Sequence, residues 1–165
     1  MNYLLNRAGN ALAFSFMVTV CSYGQQPCLA DAWTRFNQKD YVSAMQYADD
    51  CIDQFAARAR REEDALAKNR TPQPEPTPSD AEKRTIFARG VLNDTGAAYF
   101  VKGRSAELLS RKAKSPRERE RLIGIARQAY DGCKTLTYAR TYEPKGWFWS
   151  TSEACSDRLQ QLSRP

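Results

Sequence analysis

The chain has 165 residues, 25 of them lysine or arginine against 19 aspartate or glutamate, a formal net charge of +6, and no histidine. Catalytic sites with a histidine base and metal sites with histidine ligands are therefore excluded. Apolar residues make up 42% of the chain and charged residues 27%, which excludes a multi-span membrane protein and complete disorder and fits one modest domain.

Residues 1–24 have the layout of a secretory signal peptide. Arg7 precedes a mostly apolar run from Ala11 to Cys21, and Ser22 and Gly24 supply the small side chains that a signal peptidase requires. The run is shorter than the ~20 apolar residues of a spanning helix. We predict cleavage after Gly24, a periplasmic or secreted chain and no membrane span after cleavage. Lipidation at Cys21 and an uncleaved N-terminal anchor are the alternatives.

Residues 25–70 are predicted to form a first antiparallel helical hairpin, because apolar side chains recur at helical spacing on both sides of Lys39-Asp40. The first set is Leu29, Ala32, Trp33 and Phe36, and the second is Tyr41, Ala44, Met45, Ala48, Cys51, Ile52 and Phe55. The second helix is expected to continue from Arg58 to Lys68 as a solvated extension with charge pairs four residues apart.

Residues 71–79 contain a strict alternation of proline from Thr71 to Pro78, which disfavours both helix and sheet. We predict a semi-rigid, extended linker outside the core. A polyproline-type ligand for a partner is the alternative.

Residues 80–165 are predicted to form a second helical hairpin and a C-terminal capping helix. Ser79, Ser115 and Ser150 each stand three residues before a glutamate, as in a capping box. These starts predict helices over 80–112, with a possible break between Gly90 and Gly96, over 116–138 and over 151–162. No segment shows sustained period-two alternation, so the predicted fold class is all-α.

Small and aromatic residues recur in the same order in both halves of the chain. They are Ala32, Ala44 and Cys51 in the first half and Tyr99, Gly103, Ala126, Tyr130 and Cys133 in the second. This order resembles the tetratricopeptide repeat (TPR), a helix-turn-helix unit, although Asp31 and Lys102 stand where the repeat has leucine. The resemblance implies a short TPR-like superhelix of antiparallel helical hairpins.

The resemblance also implies a non-catalytic adaptor or scaffold that binds a protein or peptide on a concave face. The first helices of the hairpins would form that face. Its hypothetical contacts are Arg35, Gln38, Tyr99, Lys102, Ser105 and Ala106.

Four cysteines follow the predicted cleavage site, and an even number in an exported chain favours disulfides. Cys28 and Cys51 are roughly symmetric about the Lys39-Asp40 turn, and Cys133 and Cys155 are symmetric about Pro144. Of three possible connectivities, we predict Cys28–Cys51 and Cys133–Cys155; four buried reduced thiols are the alternative. A sheet between the paired cysteines, or paired sulfur atoms on opposite sides of the molecule, would contradict the repeat assignment.

The segment from Lys102 to Arg127 carries nine basic and three acidic side chains. It suggests an alternative function, the binding of cell-envelope glycan or another anionic polymer. The residues of this alternative site are Arg111, Lys112, Lys114, Trp147 and Trp149. A solvated helix face, and aromatic side chains that only close the last hairpin, would equally explain these features. Nucleic acid is not expected, because aromatic residues are not interleaved with the basic ones.

No enzyme activity, cofactor or metal site is expected. Asp49 and Asp53 would lie on a polar helix face without the apolar surroundings that raise the pKa of a general acid. The sequence also contains no glycine-rich phosphate loop, nucleophile elbow or metal-ligand spacing.

Overall fold

The computed structural model describes residues 26–75, 77–143 and 147–163, without the side chains of Glu143 and Trp147. The predicted signal peptide and Cys21 lie outside the described residues. Six helices and one two-stranded sheet are described: α1 Pro27–Asn37, α2 Tyr41–Lys68, α3 Asp80–Ala88, α4 Gly90–Ser110, α5 Pro116–Lys134, β1 Arg140–Glu143, β2 Trp147–Ser150 and α6 Thr151–Leu162. The helices pack against one another, so the predicted all-α class is confirmed.

Three helices begin at the serines that the sequence marks as caps. The hydroxyls of Ser79, Ser115 and Ser150 each accept a hydrogen bond from the backbone N–H three residues on, at 3.2–3.3 Å. At Ser79 the box is reciprocal, because Glu82 accepts from the Ser79 backbone N–H at 2.8 Å. The capping chemistry therefore fixes these helix starts locally.

Helix α4 lies at the centre of the fold, with α1 and α2 on one side and α5 and α6 on the other. Its many small residues permit this close packing. A Cβ on Gly103 would collide with the Tyr130 ring of α5, and a Cβ on Gly132 of α5 would lie 2.8 Å from the Tyr99 ring of α4. Two glycine-to-tyrosine contacts thus join α4 and α5, which explains the alternation of small and aromatic residues in these helices.

The two predicted cysteine pairs lie at disulfide distance. The Cα atoms of Cys28 and Cys51 are 5.6 Å apart, and those of Cys133 and Cys155 are 6.1 Å apart. Within each pair the sulfur atoms therefore lie together and not on opposite sides of the molecule. The first pair joins α1 to α2, and the second joins α5 to α6.

A β-hairpin between α5 and α6 corrects the expectation that no sheet lies between the paired cysteines. Strands β1 and β2 are antiparallel, and Tyr142 pairs with Phe148. Strands of four residues are too short for period-two alternation to be recognised in a sequence. The repeat assignment requires Cys133 and Cys155 to close a simple helical hairpin, and they do not. This sheet counts against the TPR resemblance, so the chain's function has to be inferred from its own surface.

The second half of α2 is exposed over most of its length, as its charge pattern predicts, but one side of it packs into the fold. Ala59 and Glu63 are buried. The Glu63 carboxylate accepts hydrogen bonds from the backbone N–H groups of Thr137 and Tyr138 at 2.7 and 3.1 Å. The extension therefore holds the turn that leads from α5 into the β-hairpin.

The proline-rich linker has no helix or strand in its described residues, as predicted, but it is attached to the rest of the fold. The Tyr138 hydroxyl donates a hydrogen bond to the carbonyl of Thr71 at 2.6 Å. Arg140 reaches the Gln73 side chain and the Pro74 carbonyl, each at 3.4 Å. The linker therefore packs against the second half of the chain.

Candidate functional site

Three of the predicted partner contacts lie in the core, which corrects the binding face expected from the sequence. Tyr99 is 9% exposed, and Ser105 and Ala106 have no exposed surface. The physical reason is the central position of α4, whose neighbouring helices cover the turns that a first repeat helix would present to a partner. These residues are therefore not available to a partner.

The other three predicted contacts remain accessible. Arg35 lies 4.0 Å from Asp40 with its side chain 45% exposed, and Gln38 is exposed at the end of α1. Lys102 is half-buried and forms an ion pair with Asp49 at 2.5 Å. Because Tyr99, Ser105 and Ala106 are buried, the six residues do not make up one binding surface.

The three basic residues of the alternative site are exposed, and two of them also make contacts within the fold. Arg111 donates to the Glu107 carboxylate at 2.6 Å, and the Lys112 ammonium lies 5.2 Å from the centre of the Tyr41 ring. Lys114 is exposed.

The tryptophans of that alternative site do not present a free stacking platform in the described structure. Trp149 is half-buried and packs edge-on against Phe100, with ring centroids 5.0 Å apart. The side chain of Trp147 lies outside the described residues.

A different site, here called the aromatic pocket, lies where α1, the junction of α3 and α4, and the β-hairpin meet. Its volume is about 250 Å³. Its lining residues include Leu29, Trp33, Phe87, Asp94, Tyr142 and Phe148. Three segments far apart in the sequence therefore build one concave surface.

The rim of the aromatic pocket carries exposed aromatic rings. Phe87 is 41% exposed and Tyr142 is 47% exposed, and their ring centroids are 5.6 Å apart. Phe148 is 5% exposed and lies beneath both of them, at 5.3 Å from Phe87 and 5.2 Å from Tyr142. The buried Phe148 ring thus supports the two exposed rings from below.

One carboxylate lies in the aromatic pocket. Asp94 on α4 accepts a hydrogen bond from the backbone N–H of Gln26, which precedes α1, at 2.8 Å. Burial raises the pKa of Asp94 to about 6, and the Gln26 hydrogen bond opposes this only in part. No ion pair of Asp94 is found among the described residues.

Two further polar residues line the aromatic pocket. The Thr141 hydroxyl is buried and has no hydrogen-bond partner within the described part of the chain. Arg140 donates to the carbonyl oxygens of Thr137 and Ala139 at 2.8 and 2.9 Å, so its guanidinium is engaged by the backbone. The pocket lining thus includes one carboxylate and one guanidinium, each hydrogen-bonded to the backbone, and one buried hydroxyl without a described partner.

The described residues 26–75, 77–143 and 147–163 contain no group of three metal-ligating side chains and no helix long and apolar enough to cross a bilayer. No family model, curated protein or solved structure matches the chain.

Sequence reasoning assigned no role to Asp94 or Phe87. A signal for Asp94 does exist, because the Asn93-Asp94 pair interrupts a run of small and apolar residues in α4. Polar residues within a run that is otherwise buried are often functional.

Proposed function

We propose that this chain is a non-catalytic binding module that holds a protein or peptide partner at the aromatic pocket. The observation that carries this proposal is the cluster of Phe87 and Tyr142 on the rim of a concave site. Large exposed aromatic side chains in contact with one another are uncommon on a protein that binds nothing, and they are typical of interface anchors.

The proposed compartment is an oxidising one, the periplasm or the outside of the cell. Two cysteine pairs at disulfide distance support it, since disulfides persist in such compartments. The signal-peptide layout of residues 1–24 supports it independently.

Site-specific photocrosslinking in the cells that produce the protein tests the binding face. A photoreactive residue replaces Phe87 or Tyr142 in two variants and Val42 in a third. Val42 on α2 is 56% exposed and does not line the aromatic pocket, so it controls for chance encounters. We expect the same partner to be crosslinked from both pocket positions and not from Val42.

A second substitution tests whether the crosslink depends on the aromatic pocket. Tyr142→Ser in the chain with the photoreactive residue at position 87 should abolish the crosslink. Equal crosslinking from all three positions, or a crosslink that persists with Tyr142→Ser, contradicts the proposed binding face.

A further inference from the structure

We propose that the aromatic pocket holds one basic side chain of the partner, a lysine or an arginine, with the Asp94 carboxylate as its counter-ion. This inference rests on the proposed function and specifies the chemistry that the pocket recognises.

Among the described residues, the charged groups of the pocket leave the Asp94 carboxylate without a cation in contact with it. Asp94 and Arg140 are the two charged residues of its lining, and Tyr142 is its other titratable group. The Arg140 guanidinium is directed to backbone carbonyls at Thr137, Ala139 and Pro74. Asp94 thus keeps a carboxylate for which the described chain supplies one backbone N–H and no cation. An incoming ammonium or guanidinium would supply the missing charge.

The walls of the pocket suit a basic side chain. A lysine or arginine has an aliphatic stem that packs on apolar surface and a cationic head that is attracted to aromatic faces. Leu29 and Trp33 of α1 offer the stem an apolar wall, and Phe87 and Tyr142 offer aromatic rings at the rim.

The size of the pocket suits a single side chain. The pocket volume of about 250 Å³ lies below the range of roughly 300–1,000 Å³ that is usual for sites of whole small molecules. A single side chain that projects from a partner fits this space better than a complete metabolite. An acidic side chain would be repelled by Asp94, and an apolar one would bury its carboxylate unpaired.

Binding of short capped peptides tests the inference directly. The probes are acetyl-Gly-Xaa-Gly-amides in which Xaa is lysine, arginine, norleucine or glutamate. Their binding is followed in NMR spectra by the amide signal of Gln26 and the indole signal of Trp33. We expect the lysine and arginine peptides to shift both signals and to bind at least about tenfold more tightly than the norleucine peptide.

The decisive variant is Asp94→Asn, whose amide oxygen can still accept the Gln26 hydrogen bond and preserve the start of α1. We expect it to weaken lysine-peptide binding at least about tenfold and to leave norleucine-peptide binding unchanged. Asp53→Asn removes an exposed carboxylate of α2 outside the pocket and is the matched control. It should leave the binding of all four peptides unchanged.

The outcomes separate this inference from the proposed function. Equal affinity for the lysine and norleucine peptides, no effect of Asp94→Asn, or no shift with any peptide overturns the basic-side-chain inference. The crosslinking result at Phe87 and Tyr142 would still stand in that case. Conversely, specific lysine-peptide binding without crosslinks at those positions would support the pocket chemistry and contradict the proposed partner-binding role.

Discussion

Asp94 is a side chain whose ionised form destabilises the fold. Its pKa of about 6 in the folded chain lies above the ordinary value of 3.8, so the ionised carboxylate opposes folding. This destabilisation is absent at pH values below 3.8, grows as the pH rises towards 6 and is constant above that value. A carboxylate kept in this state without a counter-ion is typical of functional sites.

We therefore expect Asp94→Asn to stabilise the free protein near neutral pH. The pKa shift of Asp94 corresponds to a destabilisation of about 3 kcal/mol at most. Solvent screening of this half-buried group reduces the expected gain in stability to about 1 kcal/mol. Urea unfolding of both proteins near neutral pH and at about pH 4 measures it. The gain should almost vanish at the lower pH. A gain of equal size at both pH values, or a loss at neutral pH, would show that the carboxylate is not destabilising.

Glu107 is the opposite case, a buried carboxylate that stabilises the fold. Burial raises its pKa, but hydrogen bonds from Arg158, Arg104 and the Tyr130 hydroxyl outweigh this effect and lower the pKa to about 2. Arg104 lies 2.7 Å from the carboxylate and Tyr130 lies 3.0 Å from it. Because Arg158 is on α6 and Tyr130 is on α5, this cluster joins three helices.

Substitution Glu107→Gln should lower the free energy of unfolding at neutral pH by ~3 kcal/mol. The folded pKa is depressed, so the stabilisation is present above the ordinary pKa of 4.5 and is lost as the pH falls from 4.5 towards 2. Thermal unfolding at a series of pH values should show the two proteins converging in acid. The matched control is Glu118→Gln, an exposed carboxylate paired with Arg121, and it should have little effect. A gap between Glu107→Gln and the original chain that does not change with pH would contradict this role.

At the scale of elements, the sequence predicted what depends on neighbouring residues. The serine caps, the helix break at Gly90 and the start of α6 all follow from residues within one turn of each other. The β-hairpin was missed because its strands are short and its Phe148 is buried through contacts with Phe87, a residue of another element. The burial of Glu63 was missed for the same reason, since its partners lie at Thr137 and Tyr138.

The turn between α1 and α2 contains a local strain that can be removed. Lys39 has φ 63°, in the left-handed region that favours glycine. The backbone N–H groups of Lys39 and Asp40 bond to the carbonyls of Phe36 and Arg35 at 2.9 and 3.0 Å, the Schellman pattern. The sequence thus places a lysine where helix ends usually have glycine.

Lys39→Gly should therefore stabilise the protein by about 0.5–1 kcal/mol. The adjacent substitution Gln38→Gly is the matched control, because Gln38 has helical dihedral angles (φ −76°) and gains nothing from glycine. It should destabilise the protein by about 0.5–1 kcal/mol. Unfolding midpoints in urea distinguish the two variants. If both variants were less stable than the original protein, the Lys39 side chain would stabilise the fold by more than its positive φ destabilises it.

At the scale of the whole molecule, the aromatic pocket could not be predicted from the sequence. Its walls come from Trp33, from the Phe87 to Asp94 segment and from Tyr142 and Phe148, and only the packing of α1, α4 and the hairpin brings them together. The binding face expected from the sequence instead included Tyr99, Ser105 and Ala106. These residues are buried because helices enclose α4 on both sides, which local sequence patterns do not reveal.

The contacts of Glu63 and the linker predict that the two halves of the chain unfold together. Glu63 of the first half binds the turn at Thr137 and Tyr138, and the Tyr138 hydroxyl binds the Thr71 carbonyl of the linker. A flexible connector would let each half unfold at its own midpoint, whereas these contacts couple the halves. Variants that retain either Trp33 or Trp149 as the one tryptophan report on each half by fluorescence, and we expect their urea midpoints to coincide.

Glu63→Gln should lower both of these midpoints together, by about 1–2 kcal/mol in unfolding free energy, because two backbone N–H groups, one of them buried, lose a charged acceptor. The neighbouring Glu62→Gln is the matched control. Burial raises the pKa of Glu62, so neutralising it should cause no loss of stability. If Glu63→Gln lowered the midpoint reported by one tryptophan and left the other unchanged, the two halves would be separate folding units. The aromatic pocket is lined by Trp33 from one half and Tyr142 from the other. Its two sides would then belong to different folding units.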